Sequence, residues 1–453
     1  MLLAIAAGLL VLTVPDLDAP FGPSHDGRNA AMWALASDGI QAHGLVGSKF
    51  GARHADGAIY ANHPPVTGLI TAGSVAVFGR SEVGVRLPGL LTALAAIPLL
   101  WLLLTRLRLS PHAAAVGSAI ALATPMFLGY GPMVDTPTMS FPIALALLAV
   151  WLAPRARPWL LASLTAVAVL AGWESCLLAA VVLAVELVRS RSGSRLLSRS
   201  LAAGFAVGFV SLSAWLLWVH GSLGPIIDTL TFRAGQDDPV RLSASLWAQA
   251  DHLRSGFPVP VFAVAAAGCV LAVRRGGPLR MVTLVSGGVV AAYSLGLRQA
   301  AFNHAYWSYW VLLPVAIGIA TLVQEAATVL ADQPKGRVVA RHACTALALV
   351  AVALSLTTTP LAKAEAEAEY HAAAPLRGAT LPPRQHRMWM RGDVVMPASW
   401  VEFYARRPVR PLTSARSLDR LARDHPTHLV FVHDASGYRL EQARRLRQDE
   451  ARG

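Results

Sequence analysis

Charged residues are scarce in this chain of 453 residues. Asp, Glu, Lys and Arg make up 14% of it, whereas 55% of the residues are hydrophobic, and the mean hydropathy is +0.49. A soluble globular domain carries about 25% charged residues, so the composition excludes that class. We therefore predict an all-α polytopic membrane protein.

Cysteine is also scarce, and this limits the chemistry that the chain can perform. Its three cysteines, Cys176, Cys269 and Cys344, lie inside apolar runs without CxxC spacing. This pattern predicts buried structural thiols and argues against disulfides and thiolate metal sites. No Asp or His pattern at metal-ligand spacing requires a metal cofactor, and the sequence leaves open whether a divalent ion is used.

The sequence has no concentrated basic patch, although its formal net charge is +13. The arginines recur in short clusters between apolar runs, which is typical of cytoplasmic loops in membrane proteins. The distribution argues against nucleic-acid binding. We expect membrane lipids to surround the chain instead.

The apolar runs predict about eleven transmembrane helices. Met1–Val14 lacks the basic start and the cleavage site of a signal peptide, so we interpret it as the first span. The run 66–79 is too short to cross comfortably and is interpreted as a juxtamembrane or re-entrant segment. The predicted spans lie near 2–14, 85–105, 112–128, 138–153, 159–173, 176–188, 201–219, 257–273, 280–297, 306–324 and 341–358.

Loop charges predict the orientation of these spans. Alternate loops carry fourteen basic residues on one side, and the opposite loops after the second span carry only Arg233, Arg241, Arg254 and Arg298. The positive-inside rule places the first set in the cytoplasm. We therefore expect a transmembrane domain at 1–360, with its first outer loop at 15–84, and an extracytoplasmic C-terminal domain at 361–453. A strand-like run at 428–433 and an amphipathic segment at 417–425 predict that this tail is a small α/β domain.

A polar stretch at 24–65 interrupts the apolar runs and is long enough to suggest a functional loop. It contains Asp26, and Asp135 follows the third predicted span. Either aspartate alone is explained as a helix N-cap. Together, two carboxylates at the outer mouths of apolar helices suit a reaction that takes a proton from a hydroxyl. Asp26 and Asp135 are therefore the candidate catalytic residues.

Other polar residues near the same membrane face are candidates for binding substrate. His63 lies in a turn stiffened by Pro64 and Pro65, and the guanidinium of Arg86 matches phosphate oxygens. The structural alternative for His63 is a simple rigid turn, and for Arg86 it is a snorkelling interfacial arginine. Glu174 is alternatively an interfacial carboxylate, and His304 and Tyr306 alternatively belong to an aromatic belt. The full candidate set is Arg28, Tyr60, Asn62, His63, Arg86, Glu174, His304 and Tyr306.

The order of short motifs resembles a known family over about residues 20–155. These motifs are Asp26, the run Tyr60-Ala61-Asn62-His63-Pro64-Pro65, Phe78-Gly79, Val85-Arg86-Leu87-Pro88, and Asp135. They are similar to those of the class C membrane glycosyltransferases typified by protein O-mannosyltransferases and lipid A aminoarabinose transferases. The resemblance implies about eleven to thirteen helices, a polyprenyl-phosphate-linked sugar donor, Asp26 as the catalytic base and Asp135 as the second acidic position.

Two residues depart from the family pattern. Gly27 follows Asp26 where the family often has Asp-Glu, and His63 stands where the aminoarabinose transferases have lysine. The first departure weakens a role for a carboxylate dyad, and the second leaves the donor's identity open.

The resemblance implies transfer of a hexosyl or pentosyl unit, with inversion, on the outer face of the cytoplasmic membrane. Asp26 would activate the hydroxyl of an unidentified protein, lipid or glycan acceptor, while Arg86 and His63 would steady the lipid phosphate. One alternative is a membrane transporter or lipid flippase. Another is a non-catalytic envelope assembly protein. Transporters place ionisable residues near the midplane, whereas here the polar residues gather at one mouth of nearly uncharged spans.

Overall fold

A computed structural model describes residues 1–189, 195–235, 240–329, 371–377, 379–383, 385–392, 399–435 and 437–451. These residues pack as two compact units. The first unit comprises Met1–Val14, Ala61–Thr67 and Pro88–Pro360, and the second comprises Pro15–Tyr60, Gly68–Leu87 and Leu361–Gly453. Cys344, the predicted span at 341–358 and the predicted domain boundary at 360/361 lie outside the described residues.

Helices dominate the chain before its tail. They are α1 (Leu2–Thr13), α2 (His25–Gly47), α3 (Val66–Phe78), α4 (Glu82–Arg106), α5 (Pro111–Leu122), α6 (Pro125–Tyr130), α7 (Thr136–Trp151), α8 (Pro158–Ala171), α9 (Trp173–Arg189), α10 (Leu196–His220), α11 (Gly224–Ala234), α12 (Leu242–Gly256), α13 (Val259–Arg275), α14 (Gly277–Gly296), α15 (Arg298–Asn303) and α16 (Leu312–Val329). A 3₁₀ helix at Ala305–Val311 leads into α16.

Each predicted span up to residue 324 coincides with helix. The predicted span 112–128 is divided into α5 and α6, because Pro125 lacks the N–H needed to continue α5 and instead begins a new helix. Helix α3 has 13 residues, a rise of about 20 Å, and so falls short of the roughly 30 Å hydrocarbon core. Helices α1 and α5, which coincide with predicted spans, have only 12 residues each, so length does not separate α3 from them, and the interpretation of 66–79 as a segment that does not cross stays a prediction.

Several helices have the length and hydropathy of membrane spans. Among the described residues, α4, α10, α14 and Ala305–Val329 pass this test individually. Helices α12 and α13 pass it together but meet at a bend of 107°. The helical architecture is that of a polytopic membrane protein, and the number eleven stays a prediction.

Small residues let helices of the first unit approach closely. A Cβ atom at Gly268 of α13 would overlap the carbonyl oxygen of Gly318 in α16, and a Cβ atom at Gly318 would overlap the carbonyl of Ala265. Gly204 of α10 lies equally close to the backbone of Ala162 in α8. Close backbone contact through small residues is the usual packing mode of membrane helices.

The tail of the second unit forms a four-stranded sheet. Its strands are β1 (Met388–Gly392), β2 (Val409–Pro411), β3 (Leu429–Asp434) and β4 (Gly437–Gln442), and its helices are α17 (Ser399–Ala405), α18 (Ala415–Asp424) and α19 (Ala443–Glu450). The strand order is β2-β1-β3-β4. β1 pairs in parallel with β2 and β3, and β4 pairs antiparallel to β3. The predictions of a strand at 428–433 and a helix at 417–425 are confirmed by β3 and α18.

Alternating side chains give this sheet a core on each face. Met388, Met390 and Phe431 pack on one face with Trp400, whereas Val430 and Val432 pack on the other face. The first of these cores also includes alanines of α2. The tail and the first polar loop therefore share one hydrophobic core.

We expect Gly268→Ala to destabilise the protein by about 1–3 kcal/mol, because its new methyl group would force the backbones of α13 and α16 apart. Thermal unfolding of the purified protein in detergent measures this effect. Gly288→Ala in α14 is the matched control, since nothing lies within 4 Å of an added Cβ there. Equal melting temperatures for Gly268→Ala and wild type would contradict this account of the packing.

Candidate active site

His63 is held between two partners in the first unit. Its Nδ1 lies 3.3 Å from Oγ1 of Thr136, and its Nε2 lies 3.5 Å from Nη2 of Arg233. A guanidinium can only donate hydrogen bonds, so Nε2 accepts from Arg233. The ring proton is then on Nδ1, which donates to Thr136.

The surroundings of His63 favour its neutral form. Burial lowers its pKa well below the usual value, and the charges of Arg233 and His304 lower the pKa further. The imidazole is therefore uncharged near neutral pH. Positive charge at this point of the first unit comes from Arg233.

Arg233 was not among the candidates predicted from the sequence. It lies in the last turn of α11, with Cζ 5.9 Å from the ring centre of Trp307. A signal was nevertheless present, because Arg233 is one of only four basic residues that the predicted outer loops carry after the second span. A cation on the face where the positive-inside rule expects few deserves a functional hypothesis.

Asp135 is the N-cap of α7, as its structural alternative predicted. Its Oδ1 accepts the Thr136 N–H at 2.7 Å, and the residue is only 3% exposed. Burial raises its pKa to about 6, while the Thr136 N–H, the charge of Arg233 and the Tyr306 hydroxyl act in the opposite direction. Asp135 and Tyr306, both predicted candidates, are therefore neighbours.

Glu174 lies in the first turn of α9 and is 1% exposed. Its carboxyl group is close to the Tyr293 hydroxyl and within electrostatic range of Asp135 and Arg233. A Cβ atom at Gly172 would lie 3.2 Å from Oε2 of Glu174 and 2.9 Å from Oγ of Ser140. The glycine thus leaves room for the buried carboxyl group. We call His63, Asp135, Glu174, Arg233 and Tyr306 the Arg233 cluster.

A cleft opens beside this cluster. It has a volume of about 530 Å³, and its lining includes Asn62, Arg233 and His304. The indole N–H of Trp173 donates to the Asn62 carbonyl at 2.9 Å, and the His304 ring lies 5.2 Å from that of Tyr306. No group of three or more metal-ligating residues that could hold an ion occurs in the described part of the chain. The cleft has the size of a small-molecule site and offers a guanidinium to an anion.

Asp26 and Arg86 form an ion pair in the second unit. Nε of Arg86 donates to Oδ2 of Asp26 at 3.1 Å, and the guanidinium also donates to the Ala19 carbonyl. Its Cζ lies 4.7 Å above the Phe21 ring. The Arg86 side chain is 8% exposed and that of Asp26 is 36% exposed. The arginine is thus fixed by three neighbours, while the carboxylate stays accessible.

The N-cap explanation of Asp26 is wrong. Ser24 caps α2, because its Oγ accepts the Gly27 N–H at 2.9 Å, and Asp26 is the second residue of the helix, in its first turn. Two further candidates of the second unit contact their own neighbours. Arg28 donates to the Ser24 carbonyl at 3.4 Å, and the Tyr60 ring stacks at 6.4 Å on His54.

The predicted site residues thus divide between the two units. The first unit contains Asn62, His63, Asp135, Glu174, His304 and Tyr306, and the second contains Asp26, Arg28, Tyr60 and Arg86. The structure groups most of the first set around Arg233 and pairs Asp26 with Arg86. The catalytic and binding roles predicted for these residues remain hypotheses.

Solved structures define the class of fold. ArnT from Cupriavidus metallidurans, solved in the apo state and bound to undecaprenyl phosphate, matches with a TM-score of 0.63 and 18% identity over 96% of this chain and 93% of that chain. AglB, the archaeal oligosaccharyltransferase from Archaeoglobus fulgidus, matches in complex with an inhibitory peptide and a dolichol-phosphate, with a TM-score of 0.56 and 12% identity over 95% and 69% of the two chains. The chain has the class C glycosyltransferase fold.

The sequence comparison gives the family resemblance. Residues 62–218 match the family described as dolichyl-phosphate-mannose-protein mannosyltransferase. No curated protein sequence matches the chain. The resemblance inferred from the motifs is confirmed, and the matched residues include His63, Arg86, Asp135 and Glu174.

The raised pKa of Asp135 predicts a pH-dependent stability. Between about pH 4 and 6 the folded state binds more protons than the unfolded state, so the free energy of unfolding falls as pH rises through this range. Asp135→Asn removes this dependence. Its melting temperature relative to wild type should therefore rise by about 2–4 °C between pH 4 and pH 7.

Thermal unfolding across this pH range measures the effect. Asp251→Asn is the control, since its carboxylate is 64% exposed. A melting-temperature difference that is constant with pH for Asp135→Asn would show that the carboxyl group does not titrate as its burial implies.

Proposed function

We propose that this protein is a glycosyltransferase that moves a sugar from a polyprenyl-phosphate donor to an acceptor hydroxyl. The observation that carries the proposal is the Arg233 cluster, in which a guanidinium lines a cleft of about 530 Å³ beside His63 and two buried carboxyl groups. A phosphate-bearing ligand suits this cleft, because guanidinium groups bind phosphate oxygens by charge-assisted hydrogen bonds.

The compared proteins support this choice of donor. ArnT was solved with undecaprenyl phosphate, AglB was solved with a dolichol-phosphate, and the matched family is named for dolichyl-phosphate-mannose. The common ligand chemistry is a single phosphate on a polyprenyl chain. We extend that chemistry to this protein.

Arg233 and His63 have distinct roles in the proposed donor site. When the bond between the anomeric carbon and the phosphate oxygen breaks, the phosphate gains negative charge and leaves as a stable anion. Arg233 stabilises that charge in a partly water-excluded cleft. His63, being neutral, orients the guanidinium through Nε2 and adds no charge of its own.

Asp26 is the proposed base for the acceptor. It takes the proton as the hydroxyl oxygen forms its bond to the anomeric carbon, and attack opposite the leaving phosphate inverts that carbon. Arg86 fixes the carboxylate by the 3.1 Å hydrogen bond and by its contacts with Ala19 and Phe21. We propose Arg86 as a positioning residue here, whereas the sequence suggested a phosphate contact.

The transferred unit is proposed to be a hexosyl or pentosyl group, and the acceptor a hydroxyl of a protein, lipid or glycan. Loop charges support a multi-pass topology of eleven spans in the cytoplasmic membrane, with the polar loop and the tail on the outer face. The proposed mechanism uses no metal step.

We expect Arg233→Gln to weaken donor binding by about 10-fold to 150-fold, since losing a charge-assisted hydrogen bond costs about 1.5–3 kcal/mol. Titration of the purified protein with undecaprenyl phosphate measures this affinity. The glutamine keeps hydrogen-bonding capacity but is shorter than arginine and carries no charge.

Arg241→Gln is the matched control, because Arg241 is an exposed arginine of the same loop that does not line the cleft. Its affinity should equal that of wild type. Equal affinities for Arg233→Gln and Arg241→Gln would remove the Arg233 cluster from the donor site.

Asp26→Asn should bind undecaprenyl phosphate normally and keep α2, because Ser24, and not Asp26, caps that helix. It should also lower the melting temperature, since it removes the carboxylate that compensates the buried Arg86 guanidinium, so the rate is measured below that temperature. Its turnover should fall by about 10²–10⁴-fold, which is the usual contribution of a general base. Single-turnover transfer from a radiolabelled polyprenyl-phosphate sugar to envelope acceptors measures the rate.

Asp18→Asn tests whether any carboxylate near the start of the second unit has the same effect, since Asp18 is exposed. It should retain the wild-type rate. Transfer by Asp26→Asn at a rate close to that of wild type would end the assignment of Asp26 as the base.

A further inference from the structure

A second cleft lies in the second unit and is strongly basic. It has a volume of about 580 Å³ and is bounded by the start of α4, residues 376–377 and 379–381, and the end of α17. Four arginines line it, Arg80, Arg377, Arg406 and Arg407, against the single carboxylate of Glu82. The lining therefore carries an excess of positive charge.

Two of these arginines already have counter-ions. Nε and Nη2 of Arg80 donate to the two carboxylate oxygens of Asp38 at 2.6 and 2.7 Å. Nη2 of Arg377 lies 3.9 Å from Oε1 of Glu82, which also accepts the Tyr404 hydroxyl at 2.9 Å. These pairs neutralise Arg80 and Arg377.

Arg406 and Arg407 supply the uncompensated charge. Both are exposed, and neither forms an ion pair with a described residue. Arg407 donates only to backbone carbonyls, to Arg406 at 3.0 Å and to Gln385 at 3.4 Å. Both arginines also line an adjoining cleft that includes Asp38, Asp56 and Glu402, but among the described residues neither guanidinium is within ion-pair distance of a carboxylate.

The backbone at Arg406 is strained. Its φ is +51°, and its N–H donates to the Glu402 carbonyl at 2.8 Å just beyond the last turn of α17. This left-handed position after a helix is usually glycine, because a side chain there costs free energy. An arginine at a position that favours glycine points to a use for its side chain.

We propose that this cleft binds a phosphate monoester group, with Arg406 and Arg407 as its charged contacts. Guanidinium groups match phosphate oxygens in geometry and charge, and a dianion would balance the two free cations. Leu376, Leu381 and Phe403 add an apolar wall beside them. The site is distinct from the Arg233 cluster and does not depend on transferase activity.

The competing explanation is that these arginines only stabilise the carboxyl end of α17 through its helix dipole. That role predicts that replacing Arg406 lowers stability and leaves phosphate affinity unchanged. The proposed site predicts that replacing Arg406 lowers phosphate affinity, whatever happens to stability. Arg406→Gly separates the two, because glycine relieves the backbone strain while removing the guanidinium.

The experiment is a titration of the full-length protein with glycerol 3-phosphate, carried out in the Arg233→Gln background so that phosphate bound at the Arg233 cluster does not contribute. A parallel titration uses nanodiscs with and without phosphatidic acid. We expect Arg406→Gly to raise the melting temperature and to weaken phosphate binding by at least about tenfold. Arg407→Gln should weaken binding without raising the melting temperature.

Arg420→Gln is the control, because Arg420 is exposed on α18 and does not line the cleft. Binding of free glycerol 3-phosphate would support a soluble phosphorylated ligand, and binding of phosphatidic acid alone would support a lipid headgroup. Absence of binding in both titrations would overturn the proposal. So would equal affinities of Arg406→Gly and Arg420→Gln for either probe.

Discussion

The burial of carboxyl groups beside apolar helices constrains the first unit. Asp135 and Glu174 are 3% and 1% exposed, and removing an ionised carboxylate from water costs several kcal/mol unless charges and hydrogen bonds compensate it. Arg233 supplies opposite charge to both groups, and the Tyr306 hydroxyl and the Thr136 N–H donate to Asp135, whereas neither carboxylate oxygen of Glu174 has a hydrogen-bond partner among the described residues. The cluster therefore needs α11 to be in place, because α11 carries its cation. Arg233 of α11 thus both lines the cleft and balances the charge of the buried carboxyl groups.

In the second unit, the buried charged group that needs compensation is a cation, Arg86. Arg86 is more buried than Asp26, so here the cation requires compensation, and the carboxylate, a carbonyl oxygen and the Phe21 ring provide it. Because the guanidinium is held on three sides, the Asp26 side chain has one fixed partner and one accessible edge. An accessible, oriented carboxylate is what proton removal from a hydroxyl requires.

Much of the fold could be predicted from the sequence, because the determinants of helices are local. Apolar runs gave the positions of the helices, Pro125 marks a break that hydropathy alone missed, and the alternation at 428–433 gave β3. The structural alternative for Asp26 named it as the cap of α2, but the cap is Ser24, because both residue types cap well and only geometry decides between them. Arg233 was missed because its partner His63 is 170 positions away in the sequence, and no local pattern records such a pairing.

A histidine at position 63, where the resemblance to the aminoarabinose transferases implies a lysine, fits the same electrostatics. A lysine at position 63 would place a second cation beside Arg233, and repulsion between them would oppose the close approach that the structure shows. Neutral His63 instead accepts from Arg233 at 3.5 Å and donates to Thr136, so it orients the guanidinium without repelling it. The charge at this point is then set by Arg233. With histidine at position 63, the positive charge of this cluster therefore lies on Arg233, and the imidazole orients it.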